Sequence, residues 1–159
     1  MKDINVMTEN ISFEYAKKIW EKRVFDFVKT ISLETSLGNT EWEVRKMHIN
    51  IYSANENGLK KRSGSRHRYF INVELQKENA EKIWGLFKQF ANQYDLELER
   101  WKNNEKDLDR YAFEAKNINT NDSISCHIEL PNEWNNPCIW VSVFVGARYH
   151  QIDLIPLSN

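Results

Sequence analysis

Ser123-Ile124-Ser125-Cys126-His127-Ile128-Glu129-Leu130 alternates polar and apolar side chains without a break. Successive strand residues point to opposite faces, so this spacing predicts a half-buried antiparallel strand with Ile124, Cys126, Ile128 and Leu130 toward the core. The stretch 138–145 keeps the apolar half of that pattern in Ile139, Val141, Val143 and Val145, but places Trp140 and Phe144 on its other face. Large aromatics on the second face of a sheet require a cover: a helix, a partner or a ligand.

The same period recurs upstream. Residues 96–101 and 111–115 alternate, and 149–155 reads as a last strand that stops before Pro156. Residues 42–52 alternate with a change of phase: Trp42 and Val44 share one parity, Met47, Ile49 and Ile51 the other. A bulge at Arg45-Lys46 is expected to reconcile the two halves. Tyr69, Ile71, Val73 and Leu75 form the partner strand. Between them, residues 53–67 are polar, hold Gly58 and Gly64, and concentrate like charge. They are expected to form a long, mobile hairpin loop.

Two segments switch to the helical period. Phe13, Ala16, Trp20, Phe27 and Ile31 recur at helical spacing, with Asn10 or Ser12 placed to cap and Leu37-Gly38-Asn39 to end a helix over 13–36. Ala80, Ile83, Trp84, Phe87, Phe90, Ala91 and Tyr94 form one stripe of a helix over 77–95, with Gly85 inside it as a place for close approach to the sheet. Trp84, Phe87 and Phe90 are expected to meet Ile128, Val141 and Val143 in the main core. The expected fold is therefore α+β: a single two-layer domain over 1–159, with 1–11 a loose lead-in. Two amphipathic helices cover a mostly antiparallel sheet of about six or seven strands.

Composition agrees with a globular domain. Of 159 residues, 41% are hydrophobic and 28% charged, enough apolar surface for a core without staples. Aromatics reach 13%, with six Trp, which suits a packed core and an interface alike. No run of about 18 apolar residues is present, so no membrane-spanning helix is expected. The amino terminus lacks the pattern of a secretory signal, and the expected compartment is cytoplasmic. Cys126 and Cys138 match no zinc spacing and are read as two free thiols, with Cys126 a small buried hydrophobe.

The net charge of −1 conceals a separation. Lys60, Lys61, Arg62, Arg66 and Arg68 crowd one short segment, and the rest of the chain is acidic. The segment is able to neutralise phosphates, with Tyr69 and Phe70 beside it for stacking, or to meet an acidic protein surface. The acidic body opposes general nucleic-acid binding by repelling the same polyanion. Trp134 stands in a loop of Asn, Glu and Pro with no periodic pattern to bury it. It reads either as a lid over Trp140 or Phe144 or as an exposed anchor.

Catalytic patterns are sparse. GxSxG, P-loop and GxGxxG signatures are missing, and the four histidines, His48, His67, His127 and His150, form no HxH or HxxxH pair. Cys126 and His127 are neighbours on a strand, hence on opposite faces, and cannot act together. His127 with Glu129 resembles a base and its orienter, but Ser, His and Glu are ordinary occupants of a solvated strand face; Glu97 and Glu99 read the same way. No metal, cofactor or catalytic residue is expected.

Three functions follow in order. The first is a protein-binding domain of the inhibitor or immunity type, whose acidic body steers a basic toxin domain such as a nuclease, with Lys60, Lys61, Arg62, Arg66, Arg68 and Trp134 at the interface. The second is a nucleic-acid-associated module using 60–68. The third is a small enzyme or ligand binder with a pocket between helix and sheet, near His127, Glu129 and Trp140.

Overall fold

The computed structural model describes residues 11–35, 37–38, 40–52, 61–101, 109–133 and 136–154. Helix α1 (Phe13–Glu34) precedes strands β1 (Glu43–Tyr52) and β2 (Lys61–Asn72). Helix α2 (Lys77–Gln93) follows, then β3 (Glu97–Trp101), β4 (Arg110–Lys116), β5 (Ser123–Glu129) and β6 (Cys138–Tyr149), with a short helix α3 (Gln151–Leu154) after them. The strands form one six-stranded sheet in the order β1-β2-β6-β5-β4-β3, and every neighbouring pair is antiparallel. This is the α+β domain that the two periods predict.

The chain path explains the order. β1 and β2 make a hairpin, and α2 then carries the chain across one face to the far edge. From β3 the chain returns strand by strand until β6 docks on β2. Both long helices pack on one face, α1 on β6 and β2, α2 on β4 and β3. Phe87 is fully buried and meets Phe113 and Phe27 with ring centroids 5.6 and 6.0 Å apart. Phe90 joins the same core with Ile128, Val141 and Val143, whereas Trp84 is half-buried at its margin, 4.6 Å from Phe113.

Local chemistry sets the ends. Ser12 caps α1, its Oγ accepting from the Tyr15 amide at 3.2 Å. Gly38 adopts φ +56° beyond the helix end, and its N–H donates to the Ser32 carbonyl at 3.1 Å. Gly85, expected to allow a close approach, has open space beside its Cα instead.

Three expectations are corrected. β1 pairs with β2 in unbroken register, so there is no bulge at Arg45-Lys46. Its change of phase arises because β1 is an edge strand with little over either side: Val44 faces the helices and Met47 the open face, at 43% and 60% exposure. The irregularity falls instead where Ser63 and Ser65 of β2 oppose Arg148 and Val145 of β6. Here Gly146 lies so close to the β4–β5 turn that a Cβ would drive into the Thr120 carbonyl oxygen. The expected strand over 149–155 is not formed: β6 runs to Tyr149 and the chain turns into α3.

The third correction bears on function. Residues 61–67 are not a loop. They are the first part of β2, hydrogen-bonded to β1 on one side and β6 on the other. Ser63, Ser65 and His67 point beneath the helix layer and are buried, although all three are polar. Two-sided pairing satisfies the backbone there, which outweighs the weak strand propensity of a Ser, Gly and Arg sequence. Lys60 and Trp134 lie outside the described residues, as does the tip of the hairpin.

Candidate functional site

The sheet has one face under the helices and one to which no described element is applied. Residues of alternate parity occupy that open face. On β2 these are Arg62, Arg66, Arg68 and Phe70; on β6, their register partners Tyr149, Phe144, Ser142 and Trp140. The extra β6 residue at the bulge moves the strand's parity by one, which brings Tyr149 onto the same face as Phe144.

Pairing converts two sequence patterns into one array. The Arg62 guanidinium carbon lies 5.8 Å from the Tyr149 ring centroid, that of Arg66 5.7 Å from Phe144 and that of Arg68 4.7 Å from Trp140. Each cation sits over the electron-rich face of an aromatic ring, an attraction of about 0.5–1 kcal/mol at exposed sites. Arg62 also donates to the Ala147 carbonyl at 3.1 Å. Among the described residues, neither Arg66 nor Arg68 has a carboxylate within ion-pair distance.

Three depressions follow this array. One of about 420 Å³ is bordered by Arg62, Phe144 and the turn 119–121, the central one of about 220 Å³ by Arg66, Arg68, His127, Trp140 and Phe144, and the third of about 210 Å³ by Glu43, Arg45, Arg68, Phe70 and Trp140. Phe144 is common to the first and second; Arg68 and Trp140 are common to the second and third. Adjoining through these shared side chains, they follow the β2–β6 line as a trough whose central part extends across Ser123 and Ser125 of β5 to Glu114 of β4. The His127 ring stands 4.9 Å from Trp140. Burial lowers its pKa, the neighbouring Arg68 charge lowers it further, and Glu129 opposes them, so the imidazole is neutral at pH 7.

Charge divides the face. The β1–β2–β6 half carries Arg45, Arg62, Arg66 and Arg68 against Glu43, which pairs with Arg45 at 3.3 Å. The β5–β4–β3 half carries Glu97, Glu99, Glu114 and Glu129 against Arg110 and Lys116. Of the expected interface residues, Arg62, Arg66 and Arg68 are thus gathered on one surface, while Lys61 is placed in β2 by its backbone alone. Trp140, Phe144 and Tyr149 are the partners that sequence reasoning did not connect to them. The signal was the period-two spacing of Arg66 and Arg68, masked by the absence of apolar residues between them.

The helix side holds two further polar groupings. Ser63 Oγ lies 2.8 Å from His150 Nε2, and His150 Nδ1 lies 2.5 Å from Glu14 Oε1, while Glu14 Oε2 accepts from the Gln151 amide at 2.8 Å. The order resembles a nucleophile, a base and its orienter. Ser63 is fully buried, however, so a substrate carbonyl has no approach to its Oγ. The chain of contacts joins the start of α1 to β2 and α3, and it is a clasp. Cys126 is likewise buried, and burial pushes its thiol pKa far up, which removes it as a nucleophile at neutral pH. Cys138 sits on the opposite face, and both cysteines are free thiols. Among the described residues no cluster of His, Cys, Asp or Glu is arranged to hold a metal ion, and no helix is long and apolar enough to cross a membrane.

Comparison with protein-family models, with characterised proteins and with solved structures finds no match to this chain. The surface itself therefore carries the functional argument.

Proposed function

We propose that this protein acts by binding, and that the open face of its sheet is the recognition surface. The observation that carries this reading is the pair of guanidinium groups of Arg66 and Arg68, with no carboxylate at ion-pair distance among the described residues, held over Phe144 and Trp140 in a trough. Aromatic and arginine side chains dominate binding energetics wherever they are gathered and shielded.

A photo-crosslinking residue in place of Ser142, at the centre of the face, tests this in the native host against the same residue in place of Lys29 on the outer side of α1. Adducts from position 142 alone are expected. Adducts from position 29 alone, or from neither position, overturn the reading. The toxin-inhibitor form of the binding hypothesis has one feature in its favour, the four glutamates on the β5–β4–β3 half, which suit a basic protein partner.

A further inference from the structure

We infer that the trough along β2 and β6 is a site for single-stranded nucleic acid; this rests on the open face being the recognition surface. The trough is linear. At about 3.4 Å per residue, Arg62 and Phe70 are about 27 Å apart along β2, and Arg66 and Arg68 about 7 Å. Such a span holds roughly four nucleotides of an extended strand. Cations spaced along one line, about 14 Å from Arg62 to Arg66 and about 7 Å from Arg66 to Arg68, suit a backbone with a phosphate at every step. The rings of Trp140, Phe144 and Tyr149 stand on the adjoining strand, one beside each arginine. Exposed bases stack on aromatic rings and on guanidinium planes. A duplex hides those base faces and leaves the rings nothing to stack against.

The acidic half of the face does not defeat this. Glu129 on the nearer β5 stands opposite Cys138, beyond the Trp140 end of the array, and β4 lies three strands from β2, about 14 Å at the usual interstrand spacing. That exceeds the Debye length of about 8 Å at physiological salt. Among the described residues Glu114 is the one carboxylate bordering the central depression, and it repels a strand that strays from the β2–β6 line. An extended acidic peptide would satisfy the arginines as well, but it would leave the three rings without flat partners.

Fluorescence anisotropy tests the inference with a labelled mixed-sequence strand of about 12 nucleotides, as DNA and as RNA, against the duplex of the same sequence. Titrations run between about 50 and 200 mM salt. Three arginine–phosphate contacts predict a log–log salt slope of about −2 for a single strand, falling to about −0.7 in Arg66→Gln/Arg68→Gln. Trp140→Ala should weaken binding by about 5- to 150-fold and leave the slope unchanged. Arg66 is exposed and Arg68 half-exposed, so the double variant should fold, and its circular dichroism melt verifies this. Absence of single-strand binding at the lowest salt, equal binding of duplex, or a slope indifferent to the arginines overturns the inference. So does preferential capture of polylysine that Glu97→Gln/Glu99→Gln abolishes, which would transfer the site to a basic protein. If position 142 forms adducts while no oligonucleotide binds, the ligand is wrong and the face is right. If neither occurs, both fall.

Discussion

Replacing Asp122 should destabilise this protein more than any surface change. Asp122 is fully buried and Arg148 is 7% exposed. The carboxylate accepts from Trp20 Nε1 at 3.0 Å, the Gly146 amide at 2.7 Å, Thr120 Oγ1 at 2.8 Å, and the two Arg148 amines at 2.7 and 2.5 Å. One side chain therefore ties α1, the β4–β5 turn and the β6 bulge together. Asp122→Ala leaves a guanidinium buried without its counter-charge, which costs about 3–5 kcal/mol. It also strands the Trp20 and Gly146 donors, each worth about 1–3 kcal/mol when unsatisfied. These terms overlap, so the total should fall near the upper end, about 4–5 kcal/mol, a third or more of a typical domain's stability. Asp122→Asn keeps the shape and a neutral acceptor and should cost less. Adding Arg148→Met to it removes the orphan charge and should recover part of the loss. Urea denaturation followed by circular dichroism, and by tryptophan fluorescence in parallel, gives these values and that of Arg148→Met alone. A loss below about 1 kcal/mol for Asp122→Ala, or a double variant worse than the sum of its singles, refutes the reasoning.

Gly85→Ala should stabilise α2 by roughly 0.5–1 kcal/mol, because the added methyl meets nothing and the helix gains propensity. A thermal melt should rise by about 1–4 °C, and a fall would mean that the space is not open. Stability should also decline below pH 6.5 through His67. Burial beneath α1 lowers its pKa and Lys46 and Lys17 reinforce this, while Glu21, 2.9 Å away without hydrogen-bond alignment, opposes it. The native state thus holds the neutral ring while the unfolded chain takes a proton near pH 6.5. The contribution is present above that value and is lost as pH falls through the lower native one. His67→Leu should flatten this part of the stability–pH curve, and an unchanged curve would exclude His67 as its source.

Most elements of this fold were legible in the chain because they carry their own period, whereas the first part of β2 and the turn into α3 were not. Ile124 to Leu130 alternates, Phe13 to Ile31 and Ala80 to Tyr94 recur at helical spacing, and Ser12 stands where a cap is needed. These are local properties, set by how side chains project from a strand or a helix, and they determined the α+β class. They also placed Trp140 and Phe144 on the face opposite the core. What they could not determine is which strand lies beside which. Residues 61–67 hold no apolar side chain, so their alternation of Arg or Gly with Ser or His reads as a polar loop. Only the return of β6 to pair with β2, about 80 residues later in the chain, supplies the second set of hydrogen bonds that makes this segment a central strand. The same pairing buries Ser63, Ser65 and His67 under α1 and sets Arg62, Arg66 and Arg68 over Tyr149, Phe144 and Trp140. Register between distant strands comes from the packing of the whole sheet against its helices, and no window of neighbouring residues contains it.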